Sequence, residues 1–166
     1  MRARGRLSRK LNRTADSYTP SLRSFPVRDL TLRPAEMGEL PAVLRFWLAA
    51  AENDSRPPDT PAALAAIHQR DPEALILAVD GGEIVGTVIA GWDGWRCHLY
   101  RLAVDPSRRR AGIGRALINA AEQRFRDLGG SRADAMVLDD NAAAHGIWAA
   151  NGYHQQPEWS RWVKKL

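Results

Sequence analysis

Between Tyr100 and Leu117 the chain reads Tyr-Arg-Leu-Ala-Val-Asp-Pro-Ser-Arg-Arg-Arg-Ala-Gly-Ile-Gly-Arg-Ala-Leu, a combination suited to binding an anion. An apolar, strand-like run stops at Asp105-Pro106, and a short loop delivers Gly112 and Gly114 to the start of an amphipathic helix. A helix N-terminus carries several unpaired N–H groups and about half a unit of positive charge. Without Cβ atoms at Gly112 and Gly114, an anion can sit against that backbone, while Arg109 and Arg110 add charge and donors suited to phosphate. The segment is a candidate pyrophosphate cradle; the bland alternative is a glycine-rich helix start with solvated arginines. A nucleotide P-loop needs Gly-Lys-Ser/Thr, which is absent. A dinucleotide fingerprint needs Gly-x-Gly-x-x-Gly after the first strand, whereas position 117 is Leu and the loop falls late in the chain.

A third pattern, Arg/Gln-x-x-Gly-x-Gly/Ala, is satisfied by Arg109, Gly112 and Gly114 after a Leu-Ala-Val-Asp-Pro strand end. A second block follows, in which Asn141, Ala144, Gly152 and Tyr153 match Asn-x-x-Ala-x-x-x-Tyr-x-x-x-Gly-Phe/Tyr. Together the two blocks resemble the GNAT superfamily of acetyl-CoA N-acetyltransferases. The resemblance covers about residues 26–164 in element order, with specific motifs in 98–117 and 141–153.

The resemblance implies acetyl-CoA as co-substrate and transfer of its acetyl group to a primary amine by direct attack in a ternary complex. In such proteins strands 4 and 5 splay apart, and the backbone of strand 4, here Leu102, Ala103 and Val104, pairs with the pantetheine arm. The loop Arg109, Arg110, Ala111, Gly112, Ile113, Gly114 and Arg115 would take the pyrophosphate, with Asn141 beside the pantetheine or the diphosphate. Trp148 stands where the family usually carries the tyrosine that protonates the departing thiolate. Indole N–H can donate a hydrogen bond but does not give up its proton, so Trp148 is expected to line the cofactor channel or to be a core residue. Tyr100 and Tyr153 are candidates to take over the acid's role.

Counting back from the loop, His98 falls where histone-type members carry a catalytic glutamate. Histidine is suited to relaying the proton of an ammonium whose pKa is about 10, although a lone strand histidine is more often structural. Asp93 is a candidate to bind the cationic amine, as are Glu52 and Asp54 in the early loop, which commonly walls the acceptor site in this family; each acid alone is more often a solvated surface charge. His145 lacks clustered ligands, so no metal is expected. Asp139-Asp140 reads as the cap of the helix that follows.

The elements that must position these residues follow from periodicity. Val27 to Arg33 reads as a strand stopped by Pro34, and Ala35 to Ala51 as a helix with apolar Met37, Leu40, Val43, Leu44, Trp47 and Leu48. Glu52 to Asp59 is a loop, and Thr60-Pro61 opens a helix to about Arg70. Ala74–Val79 and Ile84–Ala90 form a hairpin about Asp80-Gly81-Gly82. Cys97–Val104 is a strand, Ile113–Leu128 a helix, Ala133–Leu138 a strand, Ala142–Ala150 a helix and Tyr153–Val163 a closing β segment. The expected fold is a single α/β layered domain. Its mixed central sheet has about six to seven strands, splayed between strands 4 and 5, with about four helices around it.

Charge is unevenly spread over the 166 residues. Residues 1–24 hold seven Lys/Arg and one acid, a net +6, whereas residues 25–166 hold 17 bases and 18 acids, a net −1. The high pI therefore belongs to an arm too poor in apolar residues to fold by itself, followed by a neutral domain over 25–166. Contact of the arm with nucleic acid or an anionic surface is the main rival to its having no role. A single cysteine excludes an intramolecular disulfide framework, and the lack of a signal h-region or an apolar span makes a cytoplasmic location the simplest expectation. Trp159, Trp162 and the terminal strand could pair across a homodimer or cover the domain's own sheet. A catalytically silent CoA-binding regulatory module is the alternative function.

Overall fold

Leu75–Asp80 (β2) and Glu83–Trp92 (β3) form the expected hairpin, and its two turn residues, Gly81 and Gly82, have φ of +59° and +85°. Two successive positive φ values are what a tight hairpin turn demands and what glycine supplies without strain. The computed structural model describes residues 29–50 and 58–164. The basic arm, Val27, Glu52 and Asp54 lie outside the described residues.

Thr31–Pro34 (β1) pairs antiparallel with β2, and Cys97–Val104 (β4) pairs antiparallel with β3. Ala133–Ala135 (β5) adds parallel to β4, giving one sheet in the order β1-β2-β3-β4-β5. Pro34 closes β1 from inside the strand, paired with Ile76; on an edge strand its missing N–H costs no ladder bond.

The sheet separates two layers of helix. Leu75, Leu77 and Ile89 pack with Leu40, Val43 and Trp47 of helix Leu40–Ala50 (α1) and Leu64 of helix Pro61–Arg70 (α2). On the other face Ile76, Val85, Val88, Cys97 and Leu99 pack with Ile113, Leu117, Ala121 and Phe125 of helix Ile113–Asp127 (α3). Trp148 of helix Ala142–Ala150 (α4) joins that second core. β3 is buried on both faces, as befits the middle strand.

Local signals set most helix ends. The Thr60 hydroxyl accepts the Ala63 N–H at 3.1 Å with Pro61 as the first helical residue. A 3-10 turn, Met37–Glu39, precedes α1, so the helix starts five residues later than periodicity suggests. Its buried stripe is Leu40, Val43, Trp47 and Ala50; Leu48, on the other side, is 85% exposed. Among the described residues no helix is long and apolar enough to cross a membrane.

Two expectations about the sheet are corrected. Among the described residues the sheet has five strands rather than six or seven, and 153–164 contains no strand. The polar run His154–Gln156 and Pro157 interrupt any alternation there, and Trp159, Trp162 and Val163 remain exposed. β5 also stops at Ala135 rather than Leu138, because it pairs with β4 over only three residues.

A bidentate pair fastens β1 to the turn before α1: Arg33 Nη1 and Nη2 each lie 2.7 Å from a Glu39 carboxylate oxygen. Those hydrogen bonds, with one from the Glu36 N–H, hold the Glu39 carboxyl down to about 2 from its usual 4.5. A depressed acid stabilises the fold above its unfolded pKa, and that contribution is lost as pH falls from about 4.5 toward 2. Because the Arg33 side chain is 36% exposed, solvent screening reduces the effect to about 1 kcal/mol. Glu39→Gln should lower unfolding free energy at neutral pH by about that amount and flatten the acid limb of a stability–pH curve. Chemical denaturation at several pH values checks both; an unchanged acid limb would count against the pair.

Candidate active site

The motif loop is built on a brace. The Asp105 carboxylate accepts the Ser107 N–H at 2.8 Å and its hydroxyl at 2.7 Å, turning the chain out of β4. The Asp105 N–H donates to Val85 O, and Arg108 Nη1 lies 2.9 Å from the Asp80 carboxylate, so the loop is tied to the β2–β3 hairpin. Beyond this brace Arg110 (φ +65°) and Gly112 (φ +84°) both adopt left-handed backbone. These two left-handed residues bend the backbone sharply just ahead of the first turn of α3, whose unpaired N–H groups favour an anion. Arg109, Arg110 and Arg115 are exposed around it. A Cβ built on Gly112 would meet nothing within 4 Å, so the space above it is open. The loop fits a pyrophosphate.

Gly114 has a different reason to be glycine. A Cβ there would run into Ile147 Cδ1, the end of a side chain on α4, so the second motif glycine lets Ile147 rest directly on the first turn of α3. Asn141 lies at the start of that helix, its side-chain oxygen accepting the Ala144 N–H at 3.0 Å. Asn141, rather than Asp139-Asp140, is the cap. This cap and the Gly114 contact set α4 beside the loop.

β4 is deformed where it leaves its neighbours. Gly86 and Thr87 pair with Val104 and Ala103, but Ile89 pairs with Tyr100, so Arg101 and Leu102 together oppose Val88. This bulge puts Arg101 at φ +54°, unfavourable for a residue with a side chain. Buried Thr87 holds it, donating its hydroxyl proton to Arg101 O at 2.9 Å while accepting from Trp47 Nε1 at 2.9 Å. The Arg101 guanidinium pairs with Asp59, just before α2, and lies 5.4 Å from the Trp47 ring centroid. On its other side β4 pairs with β5 only from Cys97/Ala133 to Leu99/Ala135, and the strands pair no further. Leu102, Ala103 and Val104 therefore lie beyond the last β4–β5 pair, next to the loop.

Because Cys97 and Leu99 enter the α3-side core, His98 points to the α1/α2 face. There His98 Nδ1 lies 2.7 Å from Asp134 Oδ1 on β5, its partner in the parallel register. Tyr100, two residues on, lies over Gly91: a Cβ on Gly91 would come within 2.9 Å of the ring. Tyr100 is 43% exposed, and burial of its hydroxyl pushes the phenol pKa up.

The remaining candidates are placed elsewhere. Trp148 is 8% exposed and packs edge-on to Tyr153, ring centroids 5.0 Å apart, within the α3-side core. The Tyr153 phenol is raised by burial and by the negative charge of Glu122 on α3, to which it hydrogen-bonds. That anchoring sets it on the face opposite His98 and Tyr100. The Asp93 carboxylate is used by its own turn, accepting the Trp95 and Arg96 N–H groups at 2.9 and 2.6 Å and pairing with Arg96 Nε. Those hydrogen bonds depress its pKa. His145 Nε2 faces Leu138 O at 3.0 Å, and no group of three or more metal-ligating side chains occurs among the described residues.

Sequence reasoning missed Asp134, the Trp47–Thr87–Arg101–Asp59 chain of contacts and the packing role of Gly114. Only Gly114 carried a local signal, as a glycine inside a helix where entropy disfavours it.

A family model described as "Acetyltransferase (GNAT) family" matches residues 40–153. An acetyltransferase of Yersinia pestis is 37% identical over 86 residues, which are 52% of this chain and 61% of that protein. One of Pectobacterium atrosepticum is 40% identical over 78 residues, 47% of this chain and 55% of that one. The chain thus spans under two thirds of the curated relatives it matches. Among solved structures, Ard1 of Thermoplasma volcanium is similar with a TM-score of 0.65 at 22% identity, covering 74% of this chain and 81% of that one. The structure of yncA from Salmonella typhimurium with its cofactor acetyl-CoA gives a TM-score of 0.61 at 24% identity, covering 75% and 79%. At these identities the two structures speak for the fold.

Proposed function

Because the chain belongs to the GNAT acetyltransferase family, we propose that it transfers an acetyl group from acetyl-CoA to a primary amine by direct attack in a ternary complex. The observation that carries this reading is the parting of β4 from β5 after Leu99/Ala135, on the strand that runs on through Val104 to the open, left-handed turn at Gly112. One strand thereby leads from a gap in the sheet to an anion seat. The backbone of Leu102 to Val104 would hold the pantetheine, the N–H groups from Arg109 to Arg115 the pyrophosphate, with Asn141 alongside.

Acetyl-CoA supplies an activated thioester carbonyl and a leaving thiolate. Backbone N–H groups at the β4 bulge polarise the carbonyl. His98, on the α1/α2 face, accepts the proton of the incoming ammonium. Tyr100, on that same face, is the better placed of the two tyrosines to donate to the thiolate, since the Tyr153 hydroxyl is engaged by Glu122. The Arg101–Asp59 pair joins the wall of the acceptor side to the bulge.

Thiol release from acetyl-CoA, measured over peptides with free N-termini, lysine, amino acids, polyamines and aminoglycosides, tests the proposal. Amine-dependent release is the expected result. Acetyl-CoA binding without release for any amine would favour a silent CoA-binding module, the reading suggested by Trp148 standing buried in the tyrosine's place.

A further inference from the structure

We propose that Asp134 is a positioning residue that fixes the tautomer and orientation of His98, so that Nε2 faces the acceptor side as a proton acceptor. The inference rests on His98 being the base and adds the residue that prepares it. β4 and β5 run parallel with His98 opposite Asp134, and paired residues of a ladder project to the same face. The pair lies one residue before Leu99/Ala135, the last rung before the strands part. Across β4 the opposite residue on β3 is Gly91, which offers no side chain, and the space above it is taken by the Tyr100 ring. The imidazole therefore has a polar partner on the β5 side, and it leans there: Nδ1 to Oδ1 is 2.7 Å.

A carboxylate only accepts hydrogen bonds, so Nδ1 carries the proton and Nε2 of the neutral ring keeps its lone pair. An untethered imidazole exchanges its proton between both nitrogens and presents a usable lone pair at the required position for only part of the time. When the ammonium proton moves to Nε2, the ring becomes an imidazolium, and the Asp134 charge stabilises it across the same hydrogen bond. The proton then leaves to solvent, because the side chains of His98 and Asp134 are 37% and 51% exposed. Among the described residues, charged groups near this face include Arg70 and Asp71 at the end of α2, which act on Tyr100, the Arg101–Asp59 pair at the bulge, and the Asp93–Arg96 pair in the β3–β4 turn. Asp93 is committed to its turn, Asp59 pairs with Arg101, and Asp134 is the carboxylate that hydrogen-bonds the ring.

The test reads the ring itself. In the free wild-type protein, nitrogen-15 shifts of neutral His98 should report the Nδ1–H form; Asp134→Ala should give a mixture of tautomers. Asp134→Glu, which returns a carboxylate on a longer exposed stem, should recover most of the Nδ1–H form. In steady-state kinetics Asp134→Ala should lower kcat about tenfold while leaving KM for acetyl-CoA unchanged. An Nε2–H ring in the wild type, or an unchanged tautomer in Asp134→Ala, overturns the proposal and leaves the base assignment standing. Wild-type turnover by His98→Ala overturns the base assignment and with it the catalytic role of Asp134, whatever the tautomer.

Discussion

Gly112→Asp should leave the domain folded and reduce acetyl-CoA affinity at least a hundredfold, about 3 kcal/mol. Position 112 is left-handed (φ +84°, ψ −2°), and aspartate is among the residues that tolerate that region best, at about 1 kcal/mol of strain. No atom lies within 4 Å of a Cβ built there, so the fold itself presents no clash. The expected loss is electrostatic. A carboxylate about 4 Å from a phosphate charge costs on the order of 4 kcal/mol at an effective dielectric of 20, and the side chain also occupies the anion's place. Gly112→Asn is the control: it carries nearly the same volume and backbone tolerance without the charge, and should bind markedly better than the aspartate variant. Calorimetric titration of both with acetyl-CoA, beside their thermal midpoints, separates loss of binding from loss of fold. Near wild-type affinity in Gly112→Asp would remove this turn from the cofactor site.

His98→Ala should lower kcat about a hundredfold near neutral pH with acetyl-CoA affinity intact. An alkyl ammonium with a pKa of about 10 is almost wholly protonated at neutral pH, so a group that removes its proton matters most there. As pH approaches that of the free amine the nucleophile forms without help, and the deficit should shrink. A rate profile from pH 6 to 10 with saturating acetyl-CoA therefore discriminates: the variant's curve should converge toward the wild type at the alkaline end. A variant profile parallel to the wild type, or identical with it, would take His98 out of proton transfer. His98 lies between two core residues, Cys97 and Leu99, but is itself 37% exposed in its side chain, so its truncation leaves the α3-side packing in place.

The two tests address opposite ends of one strand. β4 carries His98 near its start and leads through the Arg101 bulge to Asp105 and the motif turn. Thr87 and Trp47 hold the bulge from inside the α1-side core, while Arg108–Asp80 and Asp105–Ser107 hold the turn. The site's precision thus depends on packed, hydrogen-bonded groups outside the motif, as expected where a strained backbone must be kept in place.

Features encoded within a few neighbouring residues were legible in the chain. The Gly81-Gly82 turn, the Thr60-Pro61 cap, the start of α3 at Ile113 and the limits of α4 follow from local φ preferences, capping chemistry and 3.6-residue periodicity. The motif turn was legible for the same reason: its arginines, glycines and helix start are contiguous. Which distant side chains meet depends on how the elements pack. His98 and Asp134 are 36 residues apart and became neighbours through the register of a parallel pair, which is set by the crossover through α3 and by packing on both faces. The same dependence hid the α3–α4 contact at Gly114, the anchoring of Tyr153 on Glu122 and the burial of Trp148. It also misled on the closing segment, where scattered aromatics suggested a strand although none forms over residues 153–164. Composition specifies what a residue can do; the packing of distant segments specifies what it faces.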